Sequence, residues 1–128
     1  MRDTLTLVTS SGEYKFNVEV AATRDQQARG LMFRRSMGAR EGMLFIYDEK
    51  QYVSMWMRNT YISLDMIFIR ADGKVHRVEA LTEPLSERII ESGDKISGVL
   101  EVVGGTAAKL NLKPGDVVRH GAFKRPGH

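Results

Sequence analysis

Glu13-Tyr14-Lys15-Phe16-Asn17-Val18-Glu19-Val20 is the stretch that decides how the rest of the chain is read. Tyr14, Phe16, Val18 and Val20 alternate with Glu13, Lys15, Asn17 and Glu19, the period of a strand with one face in a core and one in water. A one-residue slip would turn the whole apolar set to solvent, so the register is strongly specified. Upstream, Leu5 and Leu7 alternate with Thr4 and Thr6, and Ser10-Ser11-Gly12 supplies turn chemistry. The chain therefore opens as a hairpin.

Downstream the period changes at Thr23. Thr23 with Gln26 spells a capping box, and Ala28, Leu31 and Met32 follow at helical spacing. Gly30 and Gly38 keep this helix short. Strand patterns then return in Met43-Leu44-Phe45-Ile46 and Ser54-Met55-Trp56-Met57, separated by a polar bend at Asp48-Glu49-Lys50. Met66-Ile67-Phe68-Ile69 suits a strand covered on both faces, and Asp72-Gly73 predicts a hairpin into Val75-His76-Arg77-Val78. Arg88-Ile89-Ile90-Glu91 and Val99-Leu100-Glu101-Val102-Val103 read as two more strands. Gly104-Gly105 ends the last of these, and Thr106 is placed to cap a second short helix reaching Leu110. Lys113-Pro114-Gly115-Asp116 has the residues of a type II turn, with Gly73 and Gly115 both expected at positive φ. Val117-Val118 is a final strand, and the tail from Lys124 to Gly127 is expected to fray. Many short strands with few long crossovers predict a mainly β protein, α+β at the margin. Its architecture is an antiparallel barrel or sandwich with two short helices.

With 128 residues, 42% hydrophobic and 27% charged, the chain is read as a single globular domain over 1–128, its last residues, 119–128, forming a basic tail. It has no cysteine, which excludes disulfides, cysteine-held zinc and thiol catalysis. Met1-Arg2-Asp3-Thr4 starts no apolar leader, and no apolar run approaches the roughly 18 residues of a membrane span. The expected setting is cytoplasmic, or periplasmic and exported if a leader has been removed. The net charge of +3 is unevenly spread: Arg24, Arg29, Arg34, Arg35 and Arg40 share a stretch with the single acid Asp25, and Arg119, Lys124 and Arg125 cluster at the end. Such clusters either form a solvated face or attract phosphate and carboxylate groups.

Several motifs occur together in a fixed order: Gly30-Leu31-Met32-Phe33-Arg34, Gly42-Met43-Leu44-Phe45, Trp56-Met57-Arg58-Asn59-Thr60 and Leu64-Asp65-Met66-Ile67-Phe68-Ile69. Val99-Leu100-Glu101-Val102 and Leu112-Lys113-Pro114-Gly115-Asp116 follow in register. In these motifs the chain resembles the bacterial and archaeal family catalogued as domain of unknown function 192, over about residues 16–118. The resemblance implies a compact, mainly β domain without an established activity, exported in those members that carry a signal peptide.

Side chains with chemistry to offer are few. Asp65 interrupts an apolar segment and by period two shares a face with Ser63 and Ile67. An unpaired buried carboxylate is costly, so Asp65 must reach water, accept hydrogen bonds from a turn, pair with Arg29 or Arg34, or serve a ligand. Glu101 poses the same question between Leu100 and Val102. Together the two acids are candidates for a carboxylate pair in a metal-independent hydrolase. Trp56, the single tryptophan, shares a face with Ser54 and Arg58, which favours a pocket wall. Asn59-Thr60 has the makings of a turn. The six methionines from Met32 to Met66 include soft thioethers that suit Cu(I), but their apolar settings and the absence of a nearby histidine favour core packing, and no metal or cofactor is expected. No serine lies in a nucleophile elbow, and Gly104-Gly105-Thr106 lacks both phosphate-loop and dinucleotide patterns. The arginines lack a recognition helix or an aromatic single-strand surface, so no nucleic-acid partner is expected. Arg29, Arg34, Trp56, Asn59, Thr60, Asp65 and Glu101 thus form the candidate site of a binding module for a small polar or anionic ligand or a peptide. A hydrolase and a protein-interaction domain are the alternatives. Convergence of Asp65 and Glu101 in one cleft would favour the enzyme; placement on different faces would favour the binding module.

Overall fold

The structure, a computed structural model, describes Met1–Phe123; Lys124 and Arg125 of the basic cluster, with the expected fraying of the tail, lie outside the described residues. Among the described residues nine strands and two short helices follow one another: β1 (Arg2–Thr9), β2 (Gly12–Ala21), α1 (Arg24–Arg29), β3 (Glu41–Gln51), β4 (Ser54–Met55), β5 (Leu64–Ile69), β6 (Val75–Glu79), β7 (Ile90–Glu91), β8 (Ile96–Val103), α2 (Thr106–Leu110) and β9 (Val117–Arg119). Seven of the strands form one sheet in the order β6-β5-β8-β3-β2-β1-β9, and β4 pairs with β7 apart from it.

The opening hairpin is as its alternation predicts: Leu5 faces Phe16 and Leu7 faces Tyr14 across the β1–β2 ladder, with Phe16, Val18 and Val20 buried and Glu13, Lys15 and Asn17 exposed. Most other ladders are also antiparallel, but β2 and β3 run parallel. The connection between them, residues 22–40, exceeds the dozen or so residues that a parallel crossover needs. β3 also continues through Asp48-Glu49-Lys50 instead of breaking there, absorbing these residues in a register shift against β8 between Ile46 and Gln51.

The sheet curls into a half-barrel whose edge strands meet at one end. Lys74 bridges to Val117; the Val75 amide donates to the Asp116 carbonyl (2.8 Å), and the Val118 amide donates to the Gly73 carbonyl (2.7 Å). Gly73 at φ 87° makes this closure possible, since a Cβ there would lie 2.8 Å from the Val118 carbonyl oxygen. Gly115, at φ 94°, turns the chain into β9 as expected. Leu5, Phe16, Leu44, Ile67, Leu100 and Val118 belong to a core to which both edges of the sheet contribute, so it fills the concave side. Met43, Phe45, Met66, Phe68 and Val99 form a second core on the opposite face, roofed by Leu31, Val53, Met57 and Ile90 from outside the sheet. All six residues of β5 are buried, as befits a strand between two cores.

Candidate functional site

The second core is incomplete. Between the end of α1, the β4 strand and the outer face of β8 lies a recess of about 170 Å³ whose lining includes Arg29, Phe45, Trp56, Arg58, Thr60 and Glu101. A shallower groove of about 310 Å³ continues past Phe45 and Met55 toward Tyr47 and Tyr52.

Backbone register places Glu101 there. In the β8 ladders Glu101 stands opposite Met43 of β3 and Met66 of β5, both members of the second core, so its side chain rises between two thioethers. The residue is 4% exposed, and among the described residues no group hydrogen bonds its carboxyl. No fully enclosed side-chain oxygen among the described residues is without a partner, so the Glu101 oxygens keep their remaining contact with solvent through the recess they line. Burial pushes this carboxyl up to about 8, because the charged form is desolvated without a compensating donor. Burial, and then the Glu101 charge, push the neighbouring Tyr47 phenol up as well.

Around Glu101 the recess mixes cationic, aromatic and hydroxyl groups. α1 begins at the capping box read from the sequence: the Thr23 Oγ1 accepts from the Gln26 amide, and the Gln26 side chain accepts from the Thr23 amide. From the middle of this helix the Gln27 amide group donates to the carbonyls of Ala21 and Ile46, tying α1 to β2 and β3. Arg29, in the last turn, lays its guanidinium 5.7 Å from the centre of the Phe33 ring. Trp56 is 39% exposed, and the Arg58 guanidinium sits 5.4 Å from its ring centre. Neither arginine forms an ion pair among the described residues. Thr60 is buried and donates its hydroxyl to the Arg58 carbonyl (3.0 Å), fixing the turn that carries both.

Of the residues singled out in the sequence, Arg29, Trp56, Thr60 and Glu101 therefore share this recess, and three do not line it. Arg34 turns away to grip Glu19 of β2 with both terminal guanidinium nitrogens, holding that carboxyl below the usual carboxylate range. Asn59 adopts a left-handed turn conformation, and its carbonyl accepts from the Phe33 amide (2.8 Å). Asp65 is fully buried on the other face of the sheet: it stands opposite Val102 of the concave core, whereas its neighbour Met66 stands opposite Glu101. Neither arginine pairs with it. Its oxygens accept from the amides of Leu81 (2.8 Å), Ala107 (2.8 Å) and Gly105 (3.2 Å). The cap of α2 is thus supplied by Asp65 from β5, while Thr106 is the first residue of the helix and Gly105 precedes it with no side-chain cap. With the sheet between them, Asp65 and Glu101 do not form a carboxylate pair. Arg58 is a charged lining residue outside the candidates named from the sequence; its period-two position with Ser54 and Trp56 was the available signal. Met43, Met57 and Met66 are buried in the second core, where they pack as gap-filling thioethers.

Fold and recess together define a small curled-sheet protein with a polar hollow set into its outer core. The chain belongs to the DUF192 family, described as Uncharacterized ACR, whose model matches residues 6–120. It is similar over 96% of both chains, at 39% identity and a TM-score of 0.93, to a protein from Sinorhizobium meliloti 1021 described as a "putative transcription regulator". A protein of unknown function from Novosphingobium aromaticivorans DSM 12444 is similar at 39% identity and a TM-score of 0.91, over 93% of this chain and 85% of that one. No curated protein matches the chain. Among the described residues no helix is long and apolar enough to cross a membrane.

Proposed function

We propose that the protein is a binding module for a small polar ligand with an anionic group, held in the recess between Arg29, Arg58 and Trp56 with Glu101 at its wall. The observation that carries this reading is the Glu101 carboxyl, buried yet without a hydrogen-bonding partner among the described residues and open to the recess. A fold gains nothing from such a group: burying a polar side chain without partners costs free energy, and an apolar residue at the same place would pack at no such cost. Two arginines unpaired among the described residues at the same hollow supply charge-assisted donors for a carboxylate or phosphate. Apolar walls with a few convergent polar groups are the usual makeup of a ligand site, and about 170 Å³ is below the range for drug-sized molecules, which points to a ligand of few atoms.

Trp56, the single tryptophan, provides the readout. Titration of the protein with small carboxylates and inorganic phosphate is expected to change its fluorescence saturably, with Arg58→Ala weakening the response by about tenfold through loss of one charge-assisted contact. A response that is absent, or unaltered in both Arg29→Ala and Arg58→Ala, contradicts the reading.

A further inference from the structure

The recess is more specific than an anion hole, because its most buried polar residue is an acid. The groups opposite Glu101 on the two flanking strands are the thioethers of Met43 and Met66, which donate no hydrogen bond. The guanidinium groups of Arg29 and Arg58 lie over Phe33 and Trp56, and neither forms an ion pair with Glu101. Protonated, the carboxyl has one donor and an unused carbonyl oxygen; ionised, it has two acceptor oxygens and a charge that nothing around it meets. A primary ammonium is the group that answers both needs, since it brings three donors and a positive charge into a site where the low dielectric strengthens the contact.

Resting on the binding reading above, we propose that the ligand is a small zwitterion, its primary ammonium seated against the Glu101 carboxylate and its anionic end turned toward Arg29 and Arg58. The charges are complementary in sign: with Glu101 ionised, the recess presents an anion to the ammonium and two cations to the carboxylate. An ammonium paired with Glu101 leaves the two arginines for a carboxylate at the other end of the same molecule. Size agrees, because a hollow of about 170 Å³ is below the range for drug-sized molecules and suits a ligand of few atoms. The proton balance is also defined. The Glu101 carboxyl, pushed up to about 8 in the free protein, is mostly protonated at neutral pH, so seating an ammonium releases its proton to the solvent.

The test titrates the full chain with glycine, 4-aminobutanoate and 6-aminohexanoate, each beside its matched carboxylate lacking the amine and its matched amine lacking the carboxylate. Trp56 fluorescence gives affinity, and calorimetry in two buffers of unequal ionisation enthalpy gives the protons exchanged. At least one zwitterion is expected to bind about tenfold or more tightly than both of its matched halves, because a half-ligand leaves buried polar groups unpaired. Its binding should release close to one proton near neutral pH. In Glu101→Gln the preference over the matched carboxylate should vanish while carboxylate binding persists; a thermal melt verifies that this variant is folded. Carboxylates that bind as tightly as every zwitterion, with no proton released, overturn the zwitterion assignment and leave the anion-binding reading standing. If no probe of any kind perturbs Trp56, both are overturned.

Discussion

Asp65 and Glu101 carry the same functional group into the same sheet and meet opposite fates. Asp65 accepts three backbone amides, from Leu81, Gly105 and Ala107, so its charge is spent on holding two loops and the start of α2. An asparagine there keeps one acceptor oxygen and turns an NH2 group toward amides that need an acceptor. Asp65→Asn is therefore expected to lower unfolding stability by about 2–4 kcal/mol, the cost of lost charge-assisted bonds plus an unsatisfied buried donor. Denaturant unfolding measures this loss, while the affinity of the folded variant for recess ligands should match the wild type. A stability within about 0.5 kcal/mol of the wild type would contradict the structural role given to Asp65. The sequence showed that both acids sit in apolar strands. It could not show which face each takes relative to the other, because that follows from the β5–β8 register, in which Met66 and not Asp65 stands opposite Glu101.

α1 has six residues and buries none of them, so caps and tethers hold it rather than packing. Thr23→Ala removes the oxygen that accepts from the Gln26 amide and is expected to cost about 1 kcal/mol. The loss should be local: amide exchange should quicken at Gln26 and Gln27, and recess affinity should fall, because the helix end carries Arg29 into the lining. Exchange rates unchanged at those amides would show that the capping box does not hold this wall. Elements set by neighbouring residues were legible in the chain: the β2 alternation, the Thr23 capping box, and the Asp72-Gly73 turn. Those set by distant residues were not. α2 takes its cap from Asp65, some forty positions upstream, so Thr106 was the natural but mistaken choice. β3 runs on through three charged residues because a bulge against β8 accommodates them, and the β2–β3 pair is parallel because the intervening crossover is long enough. In the candidate site, Arg34 was lost to Glu19 for the same reason, since an ion-pair partner fifteen residues away leaves no local mark.

At the scale of the molecule, two cores share one sheet, and the outer one contains a charge-capable group that nothing in the described protein neutralises. That arrangement makes the stability of the whole fold depend on the protonation of Glu101. The folded carboxyl is raised to about 8 from 4.5, so between these values the native state holds a proton that the unfolded chain has released. Stability is then fully present below about pH 4.5, declines as pH rises, and levels off above about pH 8. Integrated over that window the loss is on the order of 5 kcal/mol. Glu101→Gln lacks the titrating group, so the difference between the two unfolding free energies isolates it from every other acid in the chain. The decisive measurement is the denaturant unfolding free energy of the wild type and Glu101→Gln across this range. The two curves are expected to diverge steadily as pH rises toward about 8, with the variant the more stable; curves that stay parallel would mean that Glu101 is solvated or paired, and would contradict a buried, unpartnered carboxyl at the recess.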